Sequence, residues 1–158
     1  MPANPYLSTR EDPLTEDPLV GFNFALEFEG AVAGYFTECS GIGSEHEIIE
    51  QKIVDKGGHE IVRKLPGRLK FTDITLKRGI TSDLKIWEWR DFAVKGDMKS
   101  ARKNCSITMY SRDYKAVATW HFTNAWPSKV TGPALKSDSN EIGVEELTLV
   151  HEGMYREK

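Results

Sequence analysis

The chain has 158 residues, with 21 Lys and Arg against 24 Asp and Glu and a formal net charge of -3. This length fits one domain with its own hydrophobic core. The two signs of charge are interleaved along the sequence rather than gathered into blocks, which argues against nucleic acid as the main partner.

Cysteine usage and targeting signals exclude two further classes. The two cysteines, Cys39 and Cys105, belong to no CxxC or Cys/His cluster, so we expect buried thiols rather than a disulfide framework. The N-terminus is acidic where a signal peptide needs a basic start, and no apolar run approaches the ~18 residues of a membrane helix. We expect assembly in the bacterial cytoplasm without direct membrane insertion.

The N-terminal 20 residues differ in composition from the rest. They contain four of the seven prolines and repeat Glu-Asp-Pro-Leu at 11–14 and 16–19. Proline fixes its own φ and disfavours helix in the residue before it. Residues 1–20 are therefore predicted to be an extended arm, with a disordered tail as the alternative, and residues 21–158 form the domain.

The first half of the domain is predicted to be β-strand. Apolar residues alternate from Phe22 to Phe28, which is typical of a half-buried strand, and 30–34 is predicted to be the hairpin turn that follows it. Residues 45–55 form a second extended stretch, which ends at a turn containing Gly57 and Gly58. Leu65-Pro66-Gly67 is predicted to be another turn.

The second half is predicted to add one helix and further strands. In the strand predicted over 69–76, the apolar residues change from odd to even positions near Thr72 or Asp73, which indicates a bulge. Thr81 or Ser82 should cap an amphipathic helix over about 82–95 that Gly96 ends. The remaining predicted elements are a hairpin of 105–110 with 116–124, a loop over 125–133 and a final strand over 141–151.

No pattern of residues supports catalysis, a cofactor or a metal. The four histidines form no HxH, HxxxH or HExxH arrangement, and Gly41-Ile42-Gly43 lacks the Lys-Ser/Thr pair of a phosphate loop. Carboxylate pairs such as Glu145 with Glu146 are expected on solvated strand faces. The tryptophans are expected to fill the core and interfaces rather than to stack on a ligand. The sequence thus predicts no enzyme and no catalytic, cofactor-binding or metal-binding residue.

Several strings occur in an order and spacing that resemble one known family. They are Phe36-Thr37-Glu38-Cys39-Ser40-Gly41-Ile42, Leu65-Pro66-Gly67, Ile74-Thr75-Leu76-Lys77-Arg78-Gly79, Trp120, Asn124-Ala125-Trp126-Pro127, Asn140-Glu141 and Glu146-Leu147-Thr148-Leu149-Val150-His151-Glu152-Gly153. Over about 20–155 the chain is similar to tube proteins of contractile phage tails and of extracellular contractile injection systems. Those proteins are structural relatives of the hemolysin-coregulated protein of type VI secretion.

The resemblance implies a fold and a function. The fold is mainly β (α+β), a small β-barrel or sandwich with one flanking helix. Six copies close into a ring, and rings stack into an inner tube that moves out when a sheath contracts. The implied partners are other copies of the chain, sheath subunits, spike, baseplate or tube-terminator proteins, and protein cargo in the lumen. Neither a cofactor nor a specific nucleic-acid ligand is implied, and both a released and a membrane-anchored particle remain open.

The resemblance also implies an assembly segment. The stretch at about 45–67 is expected to reach toward the next ring, which makes Lys56, Gly57, Gly58, Pro66 and Gly67 the candidate ring-stacking positions. An ordinary surface hairpin is the alternative. The subunit is either the bulk tube protein or the initiator ring next to the spike, and the Asn-Ala-Trp-Pro and His-Glu-Gly strings incline the assignment toward the initiator.

Two other classes remain as alternatives to a tube protein. A monomeric ligand-binding β-barrel module would need an apolar cavity that opens to solvent. A small hydrolase would need paired ionisable groups in a cleft.

Overall fold

Ten strands and two helices make up the described part of the chain. The structure, a computed structural model, describes residues 23–133 and 143–157, so the predicted arm, Phe22 and the Asn140-Glu141 string lie outside it. The strands are β1 Phe24–Phe28, β2 Ala31–Phe36, β3 Glu38–Ser40, β4 Ser44–Val54, β5 Glu60–Phe71, β6 Ile74–Gly79, β7 Lys103–Tyr110, β8 Ala116–Thr131, β9 Val144–Val150 and β10 Gly153–Arg156. The helices are α1 Lys85–Val94 and α2 Met98–Ala101.

The strands form one antiparallel path that bends through its longest member, β8. The order is β2-β1-β7-β8-β9-β6-β3, with β10 also paired to β8, and β4 and β5 form a separate two-stranded sheet. The first part of β8 pairs with β7 and β10, and the part after Asn124 pairs with β9. Asn124 has a φ of 49° at the bend, where its side-chain amide donates to Glu152 Oε2 at 2.7 Å.

The core lies between the two halves of this bent sheet. Its buried members come from β1, β2, β6, β7, β8, β9 and both helices and include Leu26, Phe36, Ile74, Leu76, Trp89, Ile107, Phe122, Leu147 and Leu149. The predicted mainly β fold is confirmed. The path of paired strands does not close within the described residues, because β2 and β3 stand at its two ends.

Several predicted boundaries are wrong. The first turn is Glu29-Gly30, with φ values of 55° and 76° that are typical of a type I′ hairpin, and 31–36 is strand. The change from odd to even apolar positions at Thr72 and Asp73 does not mark a bulge, because these two residues separate β5 from β6. Most of the loop predicted over 125–133 is strand, because β8 continues to Thr131.

The helical region also differs from the prediction. The predicted single helix corresponds to α1, which begins later than expected. Its N-cap residue is Leu84, which makes no side-chain cap hydrogen bond, so the prediction that Thr81 or Ser82 caps the helix is wrong. The Asp83 carboxylate accepts the Lys85 backbone N–H at 3.0 Å. Gly96 ends it as predicted, with a φ of 84°. A short second helix, α2, follows and is fixed by Trp89, whose indole N–H donates to Ala101 O at 2.6 Å.

Both cysteines lie in the interior as thiols. Cys105 is buried, Cys39 is half-buried, and neither forms a disulfide. Burial raises the pKa of each thiol to about 12. The expectation of a buried thiol is confirmed for Cys105, whereas Cys39 is only half-buried. None of the described helices has the length and apolar character to cross a membrane.

A buried ion pair ties α1 to the sheet. Arg78 of β6 donates from Nε to Glu145 Oε2 of β9 at 3.1 Å, and both side chains are buried. The other carboxylate oxygen of Glu145 accepts the Trp87 indole N–H at 3.1 Å. The Arg78 guanidinium carbon also lies 5.4 Å from the centroid of the Phe36 ring. The expectation that Glu145 lies on a solvated face is therefore wrong.

Replacement of Arg78 by Met should destabilise the fold. The change leaves the Glu145 carboxylate buried without its cation, and loss of one partner of a buried pair costs about 3 to 5 kcal/mol. Urea unfolding of the dispersed chain, followed by tryptophan fluorescence, measures this loss. Lys95→Met removes an exposed pair with Asp91 and should leave the midpoint unchanged. Equal midpoints for the two variants would contradict a structural role for the buried pair.

Candidate functional site: the β4–β5 hairpin

The β4–β5 hairpin is the one element pair of the described chain that forms a sheet of its own. Its strands pair from Ser44 opposite Phe71 to Val54 opposite Glu60, and neither strand pairs with any other described strand. The hairpin therefore projects from the bent sheet, joined to it at the short segments before β4 and after β5. This is the segment that the resemblance marks for assembly.

The hairpin tip is closed by an aspartate that the sequence analysis missed. Asp55 Oδ1 accepts the backbone N–H groups of Gly57 at 2.9 Å and of His59 at 2.8 Å. Of the two glycines expected to supply positive φ, Gly58 does so, at 78°. The signal was available, because Asp at the start of a glycine-containing turn commonly accepts backbone hydrogen bonds in this way.

Pro66 and Gly67 do not form a turn, contrary to the prediction. They lie inside β5, where Ile48 pairs with Pro66 and His46 pairs with Leu69, so that the two residues between oppose Glu47 alone. This is a β-bulge. A Cβ at Gly67 would lie 2.8 Å from the backbone oxygen of Glu47, which explains the glycine. Proline is tolerated because β5 has an unpaired edge.

The five candidate assembly positions thus lie on one hairpin but at two separate places. Lys56, Gly57 and Gly58 lie at its tip, whereas Pro66 and Gly67 lie nearer its base, with Gly67 in the bulge and Pro66 directly before it. Glycine and proline at these places shape the backbone of the hairpin. The side chains available to contact another molecule are instead those along the two strands.

Both faces of the hairpin expose large apolar side chains. Because directly paired residues point to the same face, Ile49 with Leu65 and Ile53 with Ile61 form one face, called here the Ile49 face. The opposite face, called here the Ile48 face, has apolar and charged members, which are Ile48, Val54, Val62 and Pro66 with Glu50, Lys52, Glu60 and Lys64. Ile49 is 54% exposed, Ile48 64% and Val54 69%.

Such a hairpin, taken alone, is at best marginally stable in water. A two-stranded sheet without a packed face is marginal, and contiguous exposed apolar surface of this kind marks an interaction site. The apolar side chains here have no cover from the rest of the described chain. The exposed side chains of the hairpin thus suit contact with another protein surface.

The described residues contain no group of side chains that could bind a metal ion. No cluster of three or more His, Cys, Asp or Glu among them could hold a metal ion. His121 contacts Glu157 through Nε2 at 2.5 Å and stacks on Tyr155 beside an open surface pocket of about 290 Å³. His151 lies between the rings of Phe71 and Phe122.

The largest aromatic side chains among the described residues fill the core. Trp89, Phe36 and Phe122 are among the largest fully buried side chains and fill the space between the two halves of the sheet. A second open pocket of about 280 Å³ lies between α1 and β2, where Phe28 packs on Trp89 with ring centroids 4.8 Å apart. The geometry supports the alternative of a ligand-binding barrel less well than it supports an interaction surface.

Comparison with known proteins identifies the relatives of this chain. The family described as T4-like virus tail tube protein gp19 matches residues 20–155. No curated protein matches the chain.

Solved structures share the fold at low identity. A chain of the PVC sheath-tube complex in its extended state, from an extracellular contractile injection system, is 22% identical with a TM-score of 0.65, covering 98% of this chain and 99% of that one. A chain of the anti-feeding prophage baseplate is 18% identical with a TM-score of 0.66, covering 89% and 95%. Hcp1 from Flavobacterium johnsoniae is 15% identical with a TM-score of 0.55, covering 86% and 95%.

Replacement of Gly67 by Ala should loosen the hairpin without affecting the core. The added methyl group would meet the backbone of Glu47, so the strands must shift at the bulge. Amide hydrogen exchange of the dispersed chain should show about tenfold less protection in β4 and β5, with unchanged protection in β7 and β8. Gly132→Ala, where no atom lies within 4 Å of the added group, is the matched control. Equal protection in both variants would refute the role given to Gly67.

Proposed function

The chain belongs to the T4-like virus tail tube protein gp19 family, and from that premise we propose that it is a structural subunit of the inner tube of a contractile injection system. It is a structural protein and not an enzyme. The observation that carries the proposal is the projecting β4–β5 hairpin, whose two apolar faces have no cover within the described chain.

Assembly of identical copies accounts for this surface. Copies related by a rotation axis bind head to tail, and such contacts close into rings when the rotation closes. Within a ring or between stacked rings, the Ile49 face and the Ile48 face would be covered by neighbouring copies. Burial of one Ile or Val side chain contributes about 1.5 to 3 kcal/mol, so a few such residues in each copy suffice for stable association.

The proposed partners follow from the relatives. The solved structures that share the fold include chains from a sheath-tube complex and from a baseplate, so we assign sheath subunits and baseplate, spike or terminator proteins as neighbours. The outer face of β6 and β9 pairs Thr75 with Thr148 and Lys77 with Glu146. A polar strand face of this kind suits a bore through which protein cargo passes without sticking.

The site of action follows from the same assembly. We assign the subunit to the bacterial cytoplasm until the particle is complete, with release or anchoring determined by other components. Residues 1–20 are proposed to act as an extended arm that a neighbouring copy receives.

Electron microscopy with light scattering on the purified chain tests the function directly. Rings of six chains of 17.9 kDa would have a mass of about 107 kDa. A bulk tube subunit should elongate into stacks, whereas an initiator should stop at single rings until bulk subunits are added. A chain that stays monomeric even with its sheath and spike partners would refute the proposal.

Replacement of Ile49 by Lys should impair assembly. A lysine in a covered apolar face loses the burial of the isoleucine, about 1.5 to 3 kcal/mol, and 1.4 kcal/mol corresponds to a factor of ten in association. The critical concentration for rings or tubes should rise at least about tenfold. Sedimentation at a series of protein concentrations measures it.

Two further variants are compared with Ile49→Lys. Val94→Lys changes an aliphatic residue at the end of α1 that is 64% exposed, as Ile48 is, and this variant should assemble normally. Ile48→Lys tests the opposite face, so the comparison shows whether one face or both are covered. Normal assembly of the Ile49 and Ile48 variants would exclude the hairpin faces as the interface.

A further inference from the structure

Strand β5 carries exposed positive charge in two groups. Its cations are all exposed, and the two groups begin five residues apart, at Arg63-Lys64 and at Arg68 with Lys70. Its one acidic residue, Glu60, already contacts Lys52 of β4 at 3.8 Å. Val62, Leu65 and Leu69 lie among the cations and are also exposed.

The cations of β5 are not paired within the described chain. Glu45 stands opposite Lys70, and Glu50 stands opposite Lys64. Even so, no cation of β5 forms an ion pair with another described residue. Because opposite charges attract, a segment that binds along β5 is expected to be acidic and to offer apolar side chains as well.

The residues before Asn23 have this complementary pattern. They contain four carboxylates and one arginine, so their formal net charge is -3, which equals that of the whole chain. Glu-Asp-Pro-Leu begins at 11 and again at 16, and we call residues 11–19 the acidic repeat. The two acidic pairs are thus separated by the same five residues as the two basic groups of β5. In extended chains this interval spans about 17 Å.

The chemistry of the repeat favours side-chain contacts over strand pairing. Pro13 and Pro18 have no backbone N–H, so the repeat cannot add a continuous hydrogen-bonded ladder to β5. Its carboxylates can pair with the cations, and Leu14 and Leu19 can contact the exposed apolar side chains of β5.

The acidic repeat is long enough to reach β5 of its own chain. The Asn23 backbone N–H donates to Phe36 O at 3.0 Å, and Ser44, the first residue of β4, follows Phe36 by eight positions. Eight residues span at most about 28 Å, whereas the 22 residues before Asn23 can span about 70 Å.

The order of the charges fits the same path. A segment that starts at Asn23 and runs toward the hairpin tip meets the cations nearer the base first. Its pair at 16–17 then lies beside the basic group at 68–70, and its pair at 11–12 lies beside 63–64. Both acidic pairs can therefore meet basic groups at once.

Resting on the proposed function, we propose that the acidic repeat lies along β5 of its own chain until the chain assembles. In this position it covers the cations and part of the apolar surface of the hairpin. Free subunits are thereby kept from premature association. Assembly displaces the repeat, which is then free for the neighbouring copy that the proposed function assigns to the arm.

Each charge pattern also has a separate explanation. Basic residues on a strand discourage unselective pairing of its edge, and acidic residues increase solubility. Neither explanation requires contact between the two segments or equal spacing of their charges. A measurement of contact within one chain therefore distinguishes them from the proposal.

Carbodiimide cross-linking of the unaltered, dispersed chain measures this contact without relying on assembly. The reagent joins a lysine amine to a carboxylate as an amide, and the carbodiimide takes up the released water as a urea. Lys64 should be joined to 11–12 and Lys70 to 16–17. In a mixture of isotope-labelled and unlabelled chains, each cross-linked pair of peptides should carry a single label, because the repeat lies on its own chain.

A variant that moves one acidic pair tests the spacing. Ser8→Glu with Thr9→Asp, Glu16→Ser and Asp17→Thr leaves the composition and net charge unchanged. This chain should lose the cross-link to Lys70 and keep the one to Lys64. Retention of both cross-links would contradict the proposed alignment.

Neutralisation of the repeat tests its effect on assembly. A hairpin that is covered in about nine of ten chains has an apparent affinity about tenfold weaker than a free one. Removal of the charges by Glu11→Gln, Asp12→Asn, Glu16→Gln and Asp17→Asn should therefore lower the critical concentration about tenfold, as measured by sedimentation. Asp73→Asn with Glu88→Gln, on exposed residues outside both segments, is the charge control and should leave it unchanged.

The outcomes separate this inference from the proposed function. Absence of cross-links between the repeat and β5, or cross-links between labelled and unlabelled chains, would overturn the inference and leave the tube function intact. An unchanged critical concentration of the neutralised chain would overturn the covering role in the same way. A chain that shows the cross-links but never forms rings, even with its sheath and spike partners, would overturn the proposed function.

Discussion

Removal of apolar surface from water is the constraint that divides this molecule into two parts. The bent sheet buries its apolar side chains within the chain, because Leu26, Phe122 and Leu149 lie in the core and are fully or almost fully buried. The hairpin cannot bury its apolar side chains in this way, since a two-stranded sheet with apolar residues on both faces has nothing to pack against. At about 25 cal/mol per Å² of buried apolar surface, a second molecule that covers the hairpin supplies the stabilisation that the chain lacks.

The bent sheet gives the hairpin a rigid base. β5 leads into β6 after two residues, and β6 carries Arg78, whose buried pair with Glu145 also holds Trp87 of α1. Burial of two charges is costly by itself, and it is tolerated here because the guanidinium and both carboxylate oxygens have partners. The helix α1, the strand β9 and the strand β6, which follows the hairpin, are thereby fixed to one another.

Local patterns in the sequence predicted the elements whose structure is determined locally. The alternation of Phe24, Leu26 and Phe28 identified β1, and Gly96 correctly marked the end of α1. The predictions failed where pairing partners are distant in sequence. Pro66-Gly67 has turn composition but lies inside β5, where Gly67 belongs to a bulge opposite Glu47. β8 bends at Asn124, so that one strand pairs in both halves of the sheet. Glu145 lies in an alternating strand pattern, and only the tertiary position of Arg78 explains its burial.

The sequence points to the hairpin through its resemblance to a family, but it does not show which side chains of the hairpin are exposed together. The glycine and proline positions that the resemblance singles out shape the tip of the hairpin and the region of its bulge. The apolar side chains on its two faces can be grouped only once the pairing register is seen, since the register determines which side chains share a face. Apolar burial is not directional and supplies affinity. The direction in which the hairpin presents those side chains therefore depends on its backbone shape, which the Asp55 turn and the bulge at Gly67 determine.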